Sequence, residues 1–478
     1  MANGSIKRGK TGEVNLDGPL ALEEEKFQRS KILAGLEAVS SPMRHVPPEI
    51  LLEIFQCCIN NSLTSRTYSV TNPLEAPILL GHICSAWRSI SRNTPRLWDR
   101  ISFNFDEKNV HRAALYVNEL AERSQPLPVS VMLTTPRVLS LAVQPFRCLW
   151  PLEVMWPLTD RLKEIDLTVA YRDLVRFRLS VNKIFPILRR VSIDFHPVVP
   201  FLPSNLAEIL NVFGSAPRLC QLRLNFPTAR LGDNNLASSK FPWAQLTTLD
   251  LRIPMDVLAA RSILMQCIAL QICVMHAIEP TDDDDQVLAL CTLYALRSLQ
   301  VFGDVNGPHF ALLRPLRLPA LESLEISGIE ASEWPRHVFL DLHARAAFTL
   351  TALALYGLDL ALDDLLAFLL LTPALASLSL KYCACVCNEL FVAFTRSAED
   401  LAFAPPIALP VLAQLTLGHD AKFDGDAVVT MVESLYGSAA FPMFTRVELI
   451  FDGAEFDDGL EERLEDMFAT GFLVDSRC

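Results

Sequence analysis

The stretch Leu350-Thr351-Ala352-Leu353-Ala354-Leu355, closed by Tyr356-Gly357, sets one apolar residue, two free positions, then apolar–free–apolar. The same phrase returns 25 residues on, as Leu375-Ala376-Ser377-Leu378-Ser379-Leu380. Working outward, it is found ten times between residues 162 and 449, beginning at Leu162, Leu188, Leu219, Leu246, Leu296, Leu321, Leu350, Leu375, Leu412 and Phe444. A degenerate copy, Leu270-x-x-Cys273-x-Met275, fills the one double-length gap. The starts then fall 24 to 37 residues apart. A period of that length marks a solenoid, in which each unit buries its apolar edge against its neighbours.

The punctuation gives each unit its internal order. Pro186, Pro217, Pro319, Pro373 and Pro410 stand two residues before the first leucine, where they end a helix and hand the chain to a strand. Gly303, Gly328 and Gly357 follow the strand and supply a turn. The fold class expected is therefore an α/β leucine-rich-repeat solenoid, a curved parallel sheet inside with helices outside. Three consensus side chains per repeat point inward, each contributing roughly 1.5–3 kcal/mol on burial before entropy. Such a core accounts for the leucine content without a ligand, and solenoids present binding surfaces more often than they do chemistry.

Apolar residues make up 51% of the 478 and charged residues 20%, a balance that lets most of the chain fold. The net charge of −13 argues against nucleic-acid binding, which needs basic surface to displace counterions. Asp452 to Asp466 holds eight carboxylates and one arginine, and reads as a solvated helix capping the solenoid before an acidic tail. Twelve cysteines form no regular framework and no secretory signal opens the chain, so reduced thiols in the cytoplasm or nucleus are expected. Val257 to Ile278 is apolar but interrupted by Arg261, Gln266, Gln271 and His276, which suits a helix-plus-strand repeat and not a membrane span.

Ahead of the repeats the periodicity is helical. Residues 21–39 can align Leu22, Phe27, Ile32, Leu33 and Leu36 on one stripe. Pro47-Pro48 opens a second helix, with Glu49 in its first turn and Ile50, Leu51, Ile54, Phe55 and Cys58 on its apolar face. A third helix is predicted over Ile78 to Ile90. Asn93-Thr94-Pro95 stops it, and Leu97-Trp98 leads into a strand over Ile101 to Phe105. Val129 to Leu133 marks an early, divergent repeat, followed by a helical stretch around Val138 to Leu149.

Residues 41 to 98 resemble an F-box of the variant common in basidiomycete fungal proteins. The resemblance lies in Ser41-Pro42-Met43-Arg44-His45-Val46-Pro47-Pro48-Glu49-Ile50-Leu51 with Glu53-Ile54-Phe55, then Ile83-Cys84-Ser85-Ala86-Trp87-Arg88 and Thr94-Pro95-Arg96-Leu97-Trp98. It departs from the family's pattern at Val46 and Ala86, and in the long loop between its halves. The resemblance implies an all-α F-box that binds the Skp adaptor of a cullin–RING (SCF-type) ubiquitin ligase, and repeats that hold a protein substrate. By position it implies that Pro47, Ile50, Leu51, Ile54, Phe55, Ile83, Cys84 and Trp87 form or support the adaptor-binding surface. The alternative is a leucine-rich-repeat interaction scaffold that recruits no ligase. The expected division is a disordered tail and short helix over 1–40, an F-box-like domain over 41–104 and the solenoid over 105–450, with 105–160 as divergent first repeats. An acidic cap and tail over 451–478 completes it.

Other motifs carry less. Gly4 to Thr11 satisfies the phosphate-loop pattern, but no strand can precede it to aim its N–H groups. Cys383, Cys385 and Cys387 lack a second ligand pair and fall at repeat positions where cysteine fills the core. Asp282 to Asp285 lacks the spacing of a calcium loop. No catalytic residue, metal site or cofactor is expected. On the strands, residues flanking the buried pairs point to the open face. Glu164, Asp166, Arg190, Asp194, Arg223, Asp250 and Arg252 charge its early part; Ser298, Gln300, Phe302, Ser323, Glu325, Tyr356, Ser377, Ser379 and Lys381 line the later part. Arg223 and Arg252 are expected to steer a protein substrate and Phe302 and Tyr356 to anchor it.

Overall fold

In the computed structural model the leucine phrases become the strands of one sheet. The structure describes residues 25–32, 46–60, 72–104, 110–135, 151–169, 184–195, 206–226, 236–276, 278–279, 289–303, 310–334, 336–395, 409–419, 425–435, 443–451 and 473–477. Fourteen strands lie side by side in chain order, every pairing parallel. They are β1 (Arg100–Asn104), β2 (Val129–Thr134), β3 (Leu162–Val169), β4 (Arg190–Phe195), β5 (Gln221–Asn225), β6 (Thr248–Arg252) and β7 (Ile272–His276). The series continues with β8 (Ser298–Phe302), β9 (Ser323–Glu333), β10 (Ala352–Asp359), β11 (Ser377–Lys381), β12 (Gln414–His419), β13 (Arg446–Phe451) and β14 (Leu473–Arg477). The fold is an α/β leucine-rich-repeat solenoid.

The phrase itself sets the register. Leu222, Leu249, Cys273, Leu299, Leu324, Leu353, Leu378, Leu415 and Val447 lie in one row across the sheet. The inward consensus residues, the degenerate copy included, are at most 7% exposed, Phe444 being the highest. A one-residue slip would turn that whole row to solvent, so the alternation holds each strand in place. Four of the prolines occupy the same turn whatever precedes it; ahead of Pro319 stands the two-residue strand Leu316–Arg317 and not the expected helix. Each is the second residue of a tight turn, in which the N–H of Leu219, Leu321, Leu375 or Leu412 donates to the carbonyl three residues back. The fixed φ of proline suits that position.

Gly328 and Gly357 lie within β9 and β10, where a register shift interrupts their pairing, and not in turns after the strands as expected; the more demanding backbone is that of Gly357. Its φ is +63°, and a Cβ there would lie 2.7 Å from the carbonyl oxygen of Gly328 on β9. Between the strands the chain returns through short helices, among them α-helices Val257–Leu264, Arg336–Ala346, Leu362–Leu369, Asn388–Phe394 and Gly425–Leu435. Long polar side chains tie these returns together. Arg161 donates to the carbonyls of Ala121 and Leu127 and to Ser124 Oγ, and Arg345 to those of Leu313 and Leu316. Burial alone lowers the Arg161 pKa, as expected where carbonyls and no carboxylate hold a guanidinium.

Among the described residues four α-helices precede β1, an exposed α1 (residues 25–32) and the three that form the head, α2 (Pro48–Asn60), α3 (Ile78–Ile83) and α4 (Ser85–Arg92). The single helix expected over 78–90 is broken. Cys84 is extended (φ −154°, ψ 171°), and its Sγ accepts the N–H of Trp87 at 3.4 Å, capping α4. Head and solenoid share one core. Leu51, Phe55, Leu80, Leu97 and Trp98 are buried in the same apolar cluster as Ile101 and Phe103 of β1.

The C-terminal end also departs from expectation. Residues 473–477, read as tail, add a last strand to the sheet beside β13. The predicted capping helix around Asp452 to Asp466 lies outside the described residues, as do the helical stretch around 138–149, Gly4 to Thr11 and Asp282 to Asp285. Val257 to Ile278 supplies helix and strand as read. Among the described residues no helix is long and apolar enough to cross a membrane.

Candidate functional site

Two surfaces follow from this architecture, one on the head and one on the open face of the sheet. On α2 the apolar residues divide between opposite duties. Leu51 and Phe55, one turn apart, enter the core at 4% and 0% exposure, and the Phe55 ring meets Trp87 at 4.8 Å between centroids. Ile50 and Ile54 stay uncovered at 52% and 39%. On α3, Leu79 and Ile83 repeat the pattern at one-turn spacing, 39% and 55% exposed, while Leu80 is buried. Pro47 is exposed and Cys84 and Trp87 half-buried. Of the eight residues assigned to the head surface, then, Ile50, Ile54, Ile83 and Pro47 present themselves outward. Leu51, Phe55 and Trp87 hold the helices that carry them, and Cys84 spends its sulfur on the α4 cap.

The open face divides into a charged part and an aromatic part, and its central row is half-buried except at Ser192 and Val274, which are buried. Asp166, Ser192, Arg223, Asp250, Val274, Gln300 and Glu325 occupy successive positions of one cross-strand row. Arg223 sits between two aspartates, 3.9 Å from Asp194 and 3.6 Å from Asp250. Those separations allow attraction but are too long for hydrogen bonds, and among the described residues Arg223 Nε and Asp194 Oδ1 are buried without a hydrogen-bond partner. Arg252 is closer, its Nε donating to Asp250 Oδ1 at 3.1 Å. Burial, and next the Asp194 carboxylate, raise the Asp166 pKa; Arg190 and Arg223 oppose them.

Further along, the His276 ring stacks on Phe302 at 4.2 Å, nearly coplanar at 14°. Burial, with Arg252 nearby, pulls the His276 pKa down to about 4, so the ring is neutral at physiological pH. Among the described residues its Nε2 is buried with no hydrogen-bond partner. Tyr356 lies under the Lys381 ammonium, 5.7 Å from ring centroid to nitrogen, and its hydroxyl accepts from Ser379 Oγ at 3.4 Å. Arg223 and Arg252 thus share Asp250, whereas Phe302 and Tyr356 sit on separate strands, each engaged with a neighbour of its own. His276 was missed as a surface residue because the Leu270 copy of the phrase is degenerate. Its position, next after Met275, was the available signal.

Cys383 and Cys385 are buried, and Cys383 Sγ donates to the carbonyls of Leu355 and Lys381 at 3.4 Å. They serve the repeat core. The ten cysteines among the described residues are all free thiols.

No protein-family model matches this chain, and no curated protein does. Among solved structures, a chain of the crystal structure of the Rad7 and Elc1 complex in yeast is similar, with 15% identity and a TM-score of 0.41. The match covers 94% of this chain and 97% of that one. A likeness this distant has no bearing on function.

Proposed function

We propose that this chain is the substrate-recognition subunit of an SCF-type ubiquitin ligase. It would be an F-box protein of the basidiomycete kind, working in the cytoplasm or nucleus and performing no catalysis itself. The observation that carries the reading is the uncovered Ile50, Ile54 and Ile83 on a helical head whose opposite side is fused into the solenoid core. A folded helix that spends Leu51 and Phe55 on the core and leaves Ile50 and Ile54 in water is built for a protein partner. The F-box motif quoted above says which partner: a Skp-type adaptor, and through it a cullin.

In this reading residues 41–104 are the recruiting module, and the shared core fixes where the open sheet face is held relative to the ligase. The substrate is a protein that meets the charged strip around Arg223 and Arg252 and the rings of Phe302 and Tyr356. Co-purification of full-length protein tests it. Adaptor and cullin should both follow the wild type, and both should be lost from Ile50→Asp/Ile54→Asp. Wild type that brings down adaptor without cullin, or neither, would favour the interaction scaffold instead. Adaptor retained by the folded double variant would show that α2 is not the interface.

A further inference from the structure

Where the head meets the solenoid, a cleft of 530 Å³ opens between α3, α4 and the helix Val110–Arg123. Its lining includes His82, Arg88, Arg92, Tyr116, Glu119 and Arg123. In a chain of net charge −13, three guanidinium groups against one carboxylate is a pronounced local excess. The carboxylate is already spoken for, since Glu119 pairs with Arg123 on the next helical turn. Arg123 is further held by its guanidinium lying 4.6 Å over the Trp98 ring. Among the described residues the Arg88 side chain is held by one bond, its Nε donating to the carbonyl of Gly81 at 2.7 Å. Its other N–H groups, all of those on Arg92, and the His82 ring have no hydrogen-bond or ion-pair partner among the described residues.

We infer that this cleft binds a small molecule bearing a phosphate group, held by Arg88 and Arg92 with Arg123 behind them. The guanidinium fork matches phosphate oxygens two at a time, and the terminal N–H groups of Arg88 and the whole fork of Arg92, on successive turns of α4, can converge on one anion. The volume is that of a small-molecule site. Tyr116, 42% exposed at the rim, offers a ring against which a flat organic body can lie. The Trp98 N–H is already donated to the carbonyl of Ser91, so the wall of the cleft is set before any ligand arrives. The inference is independent of ligase recruitment, because it uses none of the uncovered isoleucines.

The test is thermal unfolding and calorimetric titration of the full chain with sodium pyrophosphate and with adenosine monophosphate, each against sodium chloride of equal ionic strength. Wild type should gain melting temperature with at least one of the two phosphates beyond the chloride control. Arg88→Gln/Arg92→Gln, whose side chains stand at the surface, should bind that probe roughly tenfold more weakly or worse. Ile54→Asp should bind it as wild type does, which separates this site from the adaptor face. No gain over chloride with either probe, or unchanged affinity in the double arginine variant, would overturn the assignment. So would a phosphoserine peptide that binds the cleft when both small phosphates fail, since the site would then belong to a protein ligand.

Discussion

Replacing Ile50, Ile54 and Ile83 together by alanine should cost the adaptor complex far more than it costs the fold. Their exposures of 52%, 39% and 55% leave about one and a half isoleucine side chains of surface for a partner to cover. At roughly 1.5–3 kcal/mol for each fully buried side chain, the triple variant forgoes about 2–4 kcal/mol of binding, a factor of roughly 30 to 1000 in affinity. The parts of these residues already inside contribute to stability, so a small loss of melting temperature accompanies the change. Leu51→Ala is the control with opposite signature. At 4% exposure it empties a core position, destabilising the protein by about 2–5 kcal/mol. Titration calorimetry against a purified Skp-type adaptor, paired with denaturant unfolding, reads both quantities. A triple variant that folds and binds adaptor within about threefold of wild type would refute the reasoning, because that is under 1 kcal/mol.

Three further outcomes are expected. Gly357→Ala should destabilise by about 1–3 kcal/mol in denaturant unfolding, since its φ of +63° and the 2.7 Å approach to Gly328 leave a Cβ no room. Arg161→Ala should lower stability by roughly 2–4 kcal/mol by stranding the carbonyls of Ala121 and Leu127, read in the same assay. The folded pKa of His276, about 4, lies below its ordinary value of 6.5, so the unfolded chain takes up the proton first. Its contribution to stability is therefore complete above pH 6.5 and is lost as pH falls from 6.5 toward 4. His276→Phe should flatten that part of the pH–stability curve, and imidazole NMR shifts should show a neutral ring at pH 5.5.

Much of this molecule was legible in the amino-acid order because repetition makes local pattern and global packing the same statement. Every inward consensus residue is buried, and the prolines sit at turns they are shaped to fill. Even Leu270-x-x-Cys273-x-Met275, the weakest copy, takes its place between β6 and β8, since parallel neighbours on both sides leave its strand no other register.

Residue order alone thus determined the strand period, the parallel sheet, the buried leucine rows and the apolar character of the head helices, all properties of a few neighbouring residues. It could not divide the apolar residues of α2 between core and surface, because Ile50, Leu51, Ile54 and Phe55 lie on one broad stripe. That division required Trp87, Leu97 and Trp98 to arrive from elsewhere and cover two of the four. Tertiary contact likewise decided the break at Cys84, the stacking of His276 on Phe302 and the gathering of Arg88, Arg92 and Arg123 around one cleft. Each of these depends on groups distant in the chain meeting in space, where burial and charge act over a few ångströms without regard to sequence separation.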